Sequence, residues 1–476
     1  MDGSKSSFID RERIGNVLAE SRPDGDAVRR TIDKALELKG LGPEEAALLL
    51  NAEEPELEAE LLAAAGKVKE LIYGRRLVLF APLYIGNRCS NDCTYCAFRA
   101  SNRDLARRDL SLDEVELEVR ALLREGHKRL LVLAGEDASE TDEVTAARWV
   151  EAIRRIYSVR EPLPRGVGEA SIRRVNVEIA PLGVEGFRLL KTANIGTYAC
   201  FQETYDPQLY KDFHPRGPKA DFVWRLEVMD RAMEAGIEDV GIGALFGLGD
   251  FRFEVLGMLE HARHLEARFG CGPHTVSVPR IEPAPGAPDA MAVPHAVSDR
   301  EFRRIVATLR LALPYTGIIM STREREELRD ELFRYGVSQI SAGSRTNPGA
   351  YSEDGAKAVE AGSQFQLGDH RSLEEVVTKL AEMGYVPSFC TGCYRKGRVG
   401  ADFMDLAKPG LIKRFCEPNA LFTFAEYVKD FAGPAMAGPA ASLKASLLAT
   451  LPDEETRKRS IEALARVEAG ERDIYF

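Results

Sequence analysis

The sequence predicts an α/β protein whose main domain is a TIM-type (β/α)8 barrel with parallel strands. Eight short apolar runs alternate with longer amphipathic segments, and strands that are apolar throughout are typical of a parallel sheet covered on both faces. Polar residues follow several of these runs, where a parallel barrel carries its chemistry. The 476 residues also leave room for further domains, since one such barrel takes about 250 residues.

Helical segments are expected on both sides of the barrel. Residues 1–75 contain GPEEAALLLN and ELEAELLAAAGKVKELIYG, in which apolar positions recur at helical spacing and Pro43 suits a first helical turn. The barrel is predicted over residues 76–385. Residues 386–476 are predicted to form a smaller, mainly helical C-terminal domain.

The eight predicted strands are short and are separated by predicted helices. The strands are expected at residues 77–85, 129–134, 174–180, 195–202, 239–246, 274–281, 316–322 and 337–342. The runs between them, such as SLDEVELEVRALLREG and SDREFRRIVATLRLAL, have the apolar spacing of helices. A long loop over 345–371 and a helix over 372–384 follow the last strand, and long loops often carry function.

The composition excludes several kinds of partner and location. A net charge of −11 argues against nucleic acid or an anionic membrane surface as the main partner. No apolar run approaches the ~20 residues that span a bilayer, and the first residues, MDGSKSSFIDRERI, lack the apolar core of a signal peptide. We therefore expect a cytoplasmic protein, in which the eight cysteines are reduced rather than paired as disulfides.

Three cysteines directly follow the first predicted strand. Cys89, Cys93 and Cys96 have the spacing C-x3-C-x2-C. A [4Fe–4S] cluster normally takes four thiolates, so three thiolates leave one iron open to a small molecule. A zinc site without its fourth ligand and a redox pair of Cys93 and Cys96 are the alternatives, but no second C-x2-C pair lies near in the sequence. The spacing therefore favours a cluster with one open iron.

A second group of three cysteines lies near the end of the chain. Cys390, Cys393 and Cys416 have the spacing C-x2-C-x22-C. A second iron–sulfur cluster, with four irons or more, is favoured over a zinc ribbon that lacks one ligand. The remaining two cysteines, Cys200 and Cys271, have no cysteine near them in the sequence and are interpreted as small core residues.

Several longer stretches carry a resemblance to a known family. They are CSNDCTYCAFR, RRVNVEIAPL, FQETYDPQLYKDFHPRGPKADFVWRLEVMDRAMEAGIEDVGIGALFGL, GPHTVSVPRIEPAPGAP, QISAGSRTNPGAY and CTGCYRKGR with FCEPNALFTFAEYVKDF. Over residues 75–432 the chain resembles the HydG family, radical SAM tyrosine lyases that help to build the active-site cluster of [FeFe]-hydrogenase. The related 2-iminoacetate synthases share the first cysteine group and the barrel but lack the second group. The segment 160–172 is longer than the family loop, and it lies at the amino-terminal face, where no change in chemistry is expected.

The resemblance implies a reaction in two stages. S-Adenosylmethionine (SAM) chelates the open iron, and its reductive cleavage gives a 5′-deoxyadenosyl radical that abstracts a hydrogen from the amino group of L-tyrosine. The Cα–Cβ bond breaks to p-cresol and dehydroglycine, which becomes carbon monoxide and cyanide on a labile iron that a cysteine-type amino acid attaches to the second cluster. The implied partners are other hydrogenase maturation proteins and a reductant such as ferredoxin or flavodoxin.

The resemblance also assigns contacts to SAM. Tyr95 matches the aromatic residue whose backbone borders the adenine. Gly135 and Glu136 match a Gly-Gly-Glu stretch that contacts the methionine amino group, with Ala134 in place of the first glycine.

Five polar residues near the predicted strand ends complete the expected barrel site. Asn176 and Glu178 lie two apart on one strand and therefore face one side, which we expect to be the lumen. Glu178 is expected to bind the ribose, and Gln202 and Glu203 are further candidates for SAM. Arg280 is expected to bind the substrate carboxylate, with a structural ion pair as the alternative. For Asn176 the alternative is a structural hydrogen bond.

Two histidines are candidate ligands of the labile iron. His274 opens the sixth predicted strand and His264 ends the helix before it, both on the face that a C-terminal domain can close. We favour His264, and a packed or surface histidine is the alternative for each. His214, in HPRGPK, is expected to order a loop.

Two rival functions stand beside the expected one. The first is a tyrosine lyase that stops at dehydroglycine, as the 2-iminoacetate synthases do. The second is a non-enzymatic scaffold that stores iron–sulfur clusters. A scaffold has no use for a barrel with polar groups at its strand ends, so cleavage of SAM would exclude it.

Overall fold

The eight predicted strands form a closed parallel barrel, which confirms the predicted fold class. The computed structural model describes residues 7–352 and 362–476. The barrel strands in order are β1 (Arg76–Gly86), β2 (Arg129–Ala134), β5 (Arg174–Glu178), β6 (Tyr198–Ala199), β7 (Val240–Gly243), β8 (Thr275–Ser277), β9 (Gly317–Met320) and β10 (Gln339–Ser341). Each strand pairs in parallel with the next, and β10 pairs with β1 to close the ring, with Val78 opposite Gln339.

Helices surround this barrel and precede and follow it, as predicted. Before and within the barrel they span Arg11–Glu20, Gly25–Ala35, Pro43–Asn51, Pro55–Tyr73, Leu112–Glu125, Asp142–Ser158, Val184–Lys191, Pro207–Phe213, Phe222–Leu226, Val228–Glu234, Phe251–Phe269, Pro288–Met291, Asp299–Ala312, Glu326–Leu332 and Leu373–Glu382. Beyond it they span Gly392–Arg395, Gly400–Ala407, Lys413–Asp430, Ala437–Thr450 and Glu454–Glu468. No helix in the described part of the chain is long and apolar enough to cross a membrane.

Local sequence signals determine where several of these helices begin. Ser111 starts the helix Leu112–Glu125 with a capping box, in which its hydroxyl accepts from the backbone N–H of Glu114 and the Glu114 carboxylate accepts from the backbone N–H of Ser111. Such a box satisfies two backbone donors that a helix start otherwise leaves without partners. The same helix ends at Gly126, whose φ of 97° is the left-handed conformation that glycine adopts without strain.

The C-terminal segment closes the amino-terminal end of the barrel. Its first strand, β11 (Val386–Ser388), pairs in parallel with the start of β1, which the sequence did not predict. The helix Lys413–Asp430 packs against β11, and its buried Glu426 accepts from Lys128, which precedes β2, at 2.8 Å. The chain after the barrel is therefore joined to the barrel sheet, while the predicted domain boundaries stay a prediction.

Two predicted loops have different outcomes. The segment 160–172 contains a small antiparallel hairpin, β3 (Glu161–Pro162) and β4 (Glu169–Ala170). In the predicted loop 345–371, residues 353–361 lie outside the described residues.

Candidate active site

The first three cysteines line one cavity at the carboxyl end of β1. Burial raises the pKa of Cys89 to about 11, of Cys93 to about 12 and of Cys96 to about 11. Gly135 and Glu136, which follow β2, line the same cavity. Thiols buried in this way are protonated at neutral pH, and binding to iron is what converts them to thiolates.

The donor set fits an iron–sulfur cluster better than a single metal ion. Among the described residues, no group of three His, Cys, Asp or Glu side chains is arranged to hold one metal ion. A four-iron cluster is larger and takes each thiolate on a different iron, so its ligands need not converge on one point. Three cysteines around a shared cavity, all of them unpaired as disulfides, match that requirement.

Gly135 and Glu136 lie against the cysteine loop. A Cβ added to Gly135 would lie 2.1 Å from the carbonyl oxygen of Arg88, so this close approach requires glycine. The carboxylate of Glu136 accepts from Arg225 at 2.8 Å and from Asn91 at 2.7 Å. Burial opposes the ionised form of Glu136, but Arg225 and Lys219 outweigh it and hold its pKa below the usual value. Glu136 is therefore an ionised acceptor for a cationic amino group.

Tyr95 is buried beside the cysteines and bound to His214. Its hydroxyl lies 2.8 Å from Nε2 of His214, whose Nδ1 lies 2.8 Å from the carbonyl oxygen of Tyr210. His214 thus orders the loop that covers the first cysteine group, as expected.

Glu178 and Glu203 lie where the cysteine cavity meets the barrel lumen, since both residues line both cavities. Burial, with the nearby charge of Glu203, raises the pKa of Glu178 to about 7, and its carboxyl has no hydrogen-bond partner among the described residues. Glu203 has a φ of 71°, a backbone conformation that is rare for residues other than glycine. Such strain is often found at functional sites, where the surrounding structure maintains it.

Two buried cations that the sequence reasoning missed complete this cavity. Lys219 donates to Glu203 at 2.6 Å, and Arg225 donates to Glu136 and to the carbonyl oxygen of Phe201. Both lie in the stretch HPRGPKADFVWRL. Two cations close to a short apolar run were the sequence signal that could have identified them. They provide positive charge next to the carboxylates that face the cysteines.

The predicted role of Arg280 is wrong, because its guanidinium is already engaged. It donates to Glu324 at 3.0 Å, to Asp299 at 3.0 Å and to the carbonyl oxygen of Val297 at 2.8 Å. This is the structural ion pair that was the alternative. Arg323 lines the lumen instead, with its guanidinium carbon 3.3 Å from the centre of the Phe365 ring.

Two of the other predicted residues have structural contacts. Asn176 faces the lumen, as predicted, and its side-chain oxygen accepts from the backbone N–H of Thr197 at 3.0 Å. Gln202 is not part of the lining of either cavity; its amide donates to the carbonyl oxygen of Phe222 at 3.4 Å. Its prediction as a SAM contact is therefore wrong.

Cys200 and Cys271 are buried, and Cys200 lies in the wall of the first cysteine cavity.

The second cysteine group lines a separate cavity at the amino-terminal end of the barrel. Cys390 follows β11, Cys393 lies in the short helix Gly392–Arg395, and Cys416 lies in the first turn of Lys413–Asp430. The hydrogen bond from Cys393, together with the nearby guanidinium of Arg76, lowers the pKa of Cys416. The two cysteine groups therefore lie at opposite ends of one barrel.

His274 lies in the second cavity and His264 does not, which corrects the preference for His264. The ring of His264 lies 2.7 Å from Asp230 and is stacked on Phe8 on the outside of the barrel. His274 is buried in the cavity wall with its Nδ1 3.6 Å from Asp239, and this nitrogen has no hydrogen-bond partner in the described part of the chain. Burial lowers the pKa of His274, so the ring is neutral, as a metal ligand must be.

Three arginines whose Nε atoms are unpaired line the cavity of the second cysteines. The Nε atoms of Arg76, Arg129 and Arg398 are buried without a hydrogen-bond acceptor among the described residues. Since buried polar groups are normally paired, the cavity is suited to an anionic group such as an iron–sulfur cluster held by three thiolates.

Comparisons with known proteins agree with this geometry. A model of the radical SAM superfamily matches residues 83–262, and a model of the Biotin and Thiamin Synthesis associated domain matches residues 277–386. The 2-iminoacetate synthase of Salmonella typhimurium is 30% identical over 357 residues, which cover 75% of this chain and 89% of that protein.

Two solved structures are similar over almost the whole chain. A crystal structure of HydG, described as a maturase of the [FeFe]-hydrogenase, is 45% identical with a TM-score of 0.93 and covers 99% of this chain and 100% of its own. The HydG structure from Carboxydothermus hydrogenoformans is 43% identical with a TM-score of 0.81, and the match covers 95% of this chain and 97% of that structure. This chain belongs to the HydG family of radical SAM enzymes.

Proposed function

We propose that the chain cleaves the Cα–Cβ bond of L-tyrosine and converts the released dehydroglycine to carbon monoxide and cyanide for [FeFe]-hydrogenase maturation. One observation carries this proposal: two cysteine groups line cavities at opposite ends of a single barrel. A lyase that stops at dehydroglycine has no need of the second group.

The first cavity provides the contacts for SAM. A [4Fe–4S] cluster on Cys89, Cys93 and Cys96, with SAM on its open iron, supplies the 5′-deoxyadenosyl radical when bound. The ionised Glu136 accepts from the amino group of methionine, and Arg225 supplies positive charge for the methionine carboxylate. Glu178 lies at the junction with the lumen, where a carboxyl group can bind ribose hydroxyls.

The lumen holds tyrosine next to SAM. Arg323 has no carboxylate partner among the described residues, so its guanidinium is available for the carboxylate of tyrosine. The closed ring of strands excludes water from the reacting atoms. Loss of a hydrogen atom from the tyrosine amino group leads to cleavage of Cα–Cβ. One electron and one proton then complete p-cresol, and dehydroglycine is the other product.

The second cavity accounts for the later stage. Cys390, Cys393 and Cys416 hold a second iron–sulfur cluster, which supplies the labile iron when a cysteine-type amino acid attaches it. Among the described residues, His274 is the histidine that lines this cavity, and it is the proposed protein ligand of that iron. Dehydroglycine has the atoms of carbon monoxide, hydrogen cyanide and water, so this step needs no further oxidant. A reductant such as ferredoxin or flavodoxin and other maturation proteins are the proposed partners.

An anaerobic assay tests the proposal. The protein is reconstituted with iron and sulfide, supplied with SAM, L-tyrosine, cysteine and a reductant, and assayed for p-cresol, cyanide and carbon monoxide together. We expect all three products from the unmodified protein and p-cresol alone from Cys393→Ala. Cys271→Ala is the matched control, since this buried cysteine lies outside both cysteine cavities, and it should keep all three. Absence of p-cresol from the unmodified protein would refute the substrate assignment.

A further inference from the structure

The barrel lumen and the second cavity share one side chain. Gln339, at the start of β10, lines both cavities. Its amide has no hydrogen-bond partner among the described residues, and it is accommodated because residue 317 is glycine: a Cβ there would lie 2.7 Å from Nε2 of Gln339. An unpaired amide thus separates the two spaces.

Tyr394 closes the same boundary from below. It follows Cys393 directly, lines the second cavity and places its hydroxyl 3.4 Å from the hydroxyl of Thr197, which lines the lumen. The guanidinium carbon of Arg174 lies 3.7 Å from the centre of the Tyr394 ring, and that of Arg129 lies 5.8 Å from it. Gln339 and Tyr394 form what we call the partition.

The charges on the two sides of the partition differ. The lumen floor above it carries uncharged polar side chains, among them Asn176, Thr197 and Thr275. Below it, the described lining of the second cavity has three arginines and one carboxylate, Asp239. Arg76 lies close to the Cys416 thiol, whereas Arg129 and Arg174 flank Tyr394, and their Nε atoms are buried without acceptors. An iron–sulfur cluster on three thiolates adds negative charge to the second cavity. The four arginines, Arg174 included, outnumber that charge together with Asp239, so the field still attracts an anion from the lumen toward the second site.

We propose that the partition of Gln339 and Tyr394 is a selective gate, which admits the small carboxylate fragment to the second site and retains p-cresol in the lumen. The two products differ in the properties that the partition discriminates. Dehydroglycine is a two-carbon anion, and the arginines beyond the partition attract it. p-Cresol is a neutral aromatic molecule that gains nothing from the arginines, and it needs a wider opening between Gln339 and Tyr394 than the two-carbon fragment does. The proposal of a gate rests on the proposed function. The gate determines which fraction of the dehydroglycine formed reaches the second site.

The test measures how dehydroglycine is divided between the second site and solvent in Gln339 variants. Gln339→Glu keeps the size of the side chain and adds a charge that repels a carboxylate or neutralises the arginines, and Gln339→Met keeps the size without the amide. Dehydroglycine that returns to solvent adds water and gives glyoxylate and ammonia. We expect the ratio of carbon monoxide to p-cresol to fall about tenfold in Gln339→Glu and less in Gln339→Met, with an equivalent rise in glyoxylate.

Gln208→Glu is the matched control, because it makes the same substitution at an exposed glutamine that lies outside both cavities. Its ratio should equal that of the unmodified protein. Iron content and cluster spectra are compared across all variants, so that a lost second cluster is recognised. If Gln339→Glu loses that cluster, the Gln339→Met ratio decides the question. An unchanged ratio in the Gln339 variants would overturn the gate, while loss of p-cresol from the unmodified protein would refute the proposed function itself.

A binding measurement supplies a readout that does not depend on turnover. Glyoxylate, the oxo analogue of dehydroglycine, and p-cresol are titrated separately into the reconstituted protein without SAM or reductant. We expect the affinity for glyoxylate to fall about tenfold in Gln339→Glu and that for p-cresol to stay within about twofold. Equal glyoxylate affinity in both proteins would contradict the attraction of anions across the partition.

Discussion

Lys219 and Glu203 form a buried ion pair, with 2.6 Å between Nζ and Oε1, at the junction of the first cysteine cavity and the lumen. The backbone N–H of Lys219 also donates to Asn91 at 2.8 Å, and the Asn91 amide donates to Glu136. Residues of the cysteine loop, of the loop after β2 and of the segment before Phe222–Leu226 are thereby connected. The strained backbone of Glu203 is part of the same network.

The first prediction concerns this pair. Lys219→Met leaves Glu203 buried without a partner, which costs roughly 3–5 kcal/mol for a buried ion pair. We expect a lower midpoint of thermal unfolding, weaker SAM binding and little cleavage of SAM. Lys211→Met is the control, because Lys211 is exposed and lies in the same part of the chain. Equal unfolding midpoints for the two variants would contradict the role of the pair.

The second prediction concerns the pH dependence of stability at Glu254. This buried carboxyl accepts from Thr204 and from the backbone N–H of Tyr205, yet burial outweighs both bonds and raises its pKa to about 8. A carboxyl whose folded-state pKa lies above its unfolded value of 4.5 contributes stability below pH 4.5. That contribution is lost as the pH rises through 8, and its size is a few kcal/mol.

In Glu254→Gln the free energy of unfolding should therefore change less between pH 5 and pH 8.5 than in the unmodified protein. The variant should exceed the unmodified protein in free energy of unfolding most clearly above pH 8. The Thr204 hydroxyl can rotate to accept from the new amide. Urea unfolding at a series of pH values measures this. The exposed Glu151→Gln should leave the profile unchanged, and a profile for Glu254→Gln that parallels the unmodified protein would disprove the assignment.

The sequence predicted the barrel because apolar strand segments alternate regularly with amphipathic helices, and β1 and β2 are apolar over almost their whole length. The polar lumen side chains of the other strands, such as Asn176, Thr275 and Gln339, did not hide this alternation. β11 was missed because it is three residues long and contains Pro387, which normally argues against a strand. Spacing alone identified both cysteine groups, because at most 22 residues separate neighbouring members of each group.

Side-chain partners that are distant in the sequence caused the errors. Arg280 ends a strand as a substrate cation would, but Glu324, 44 residues later, neutralises it. The contact with Asp230, 34 residues earlier, holds His264 on the outside of the barrel, away from the second site. Gln202 lies beyond the end of β6, and its position after a strand did not show in which direction its side chain points. Its amide donates to the carbonyl oxygen of Phe222, 20 residues later.

The third prediction distinguishes Arg323 from Arg280. Arg323→Met removes the cation proposed for the tyrosine carboxylate, so the KM for tyrosine should rise by about 100-fold, the effect of losing a charged hydrogen-bonded pair of ~3 kcal/mol. SAM cleavage without tyrosine should persist. Arg280→Met breaks the ion pairs with Glu324 and Asp299 and should lower the unfolding midpoint with little change in KM. If both variants change KM equally, Arg323 is not the carboxylate ligand.

The last prediction concerns the two candidate histidines of the second site. His274 lies in the cavity wall, neutral and without a hydrogen bond, whereas His264 is held by Asp230 on the outside. His274→Ala should therefore lose the labile iron and with it carbon monoxide and cyanide, while p-cresol continues to form at the first site. Iron analysis and the electron paramagnetic resonance spectrum of the second cluster measure the loss directly. His264→Ala should keep the iron and all three products, because its only effect is to remove a surface contact with Phe8 and Asp230. Retention of the labile iron in His274→Ala would mean that the iron is held without a histidine from this cavity.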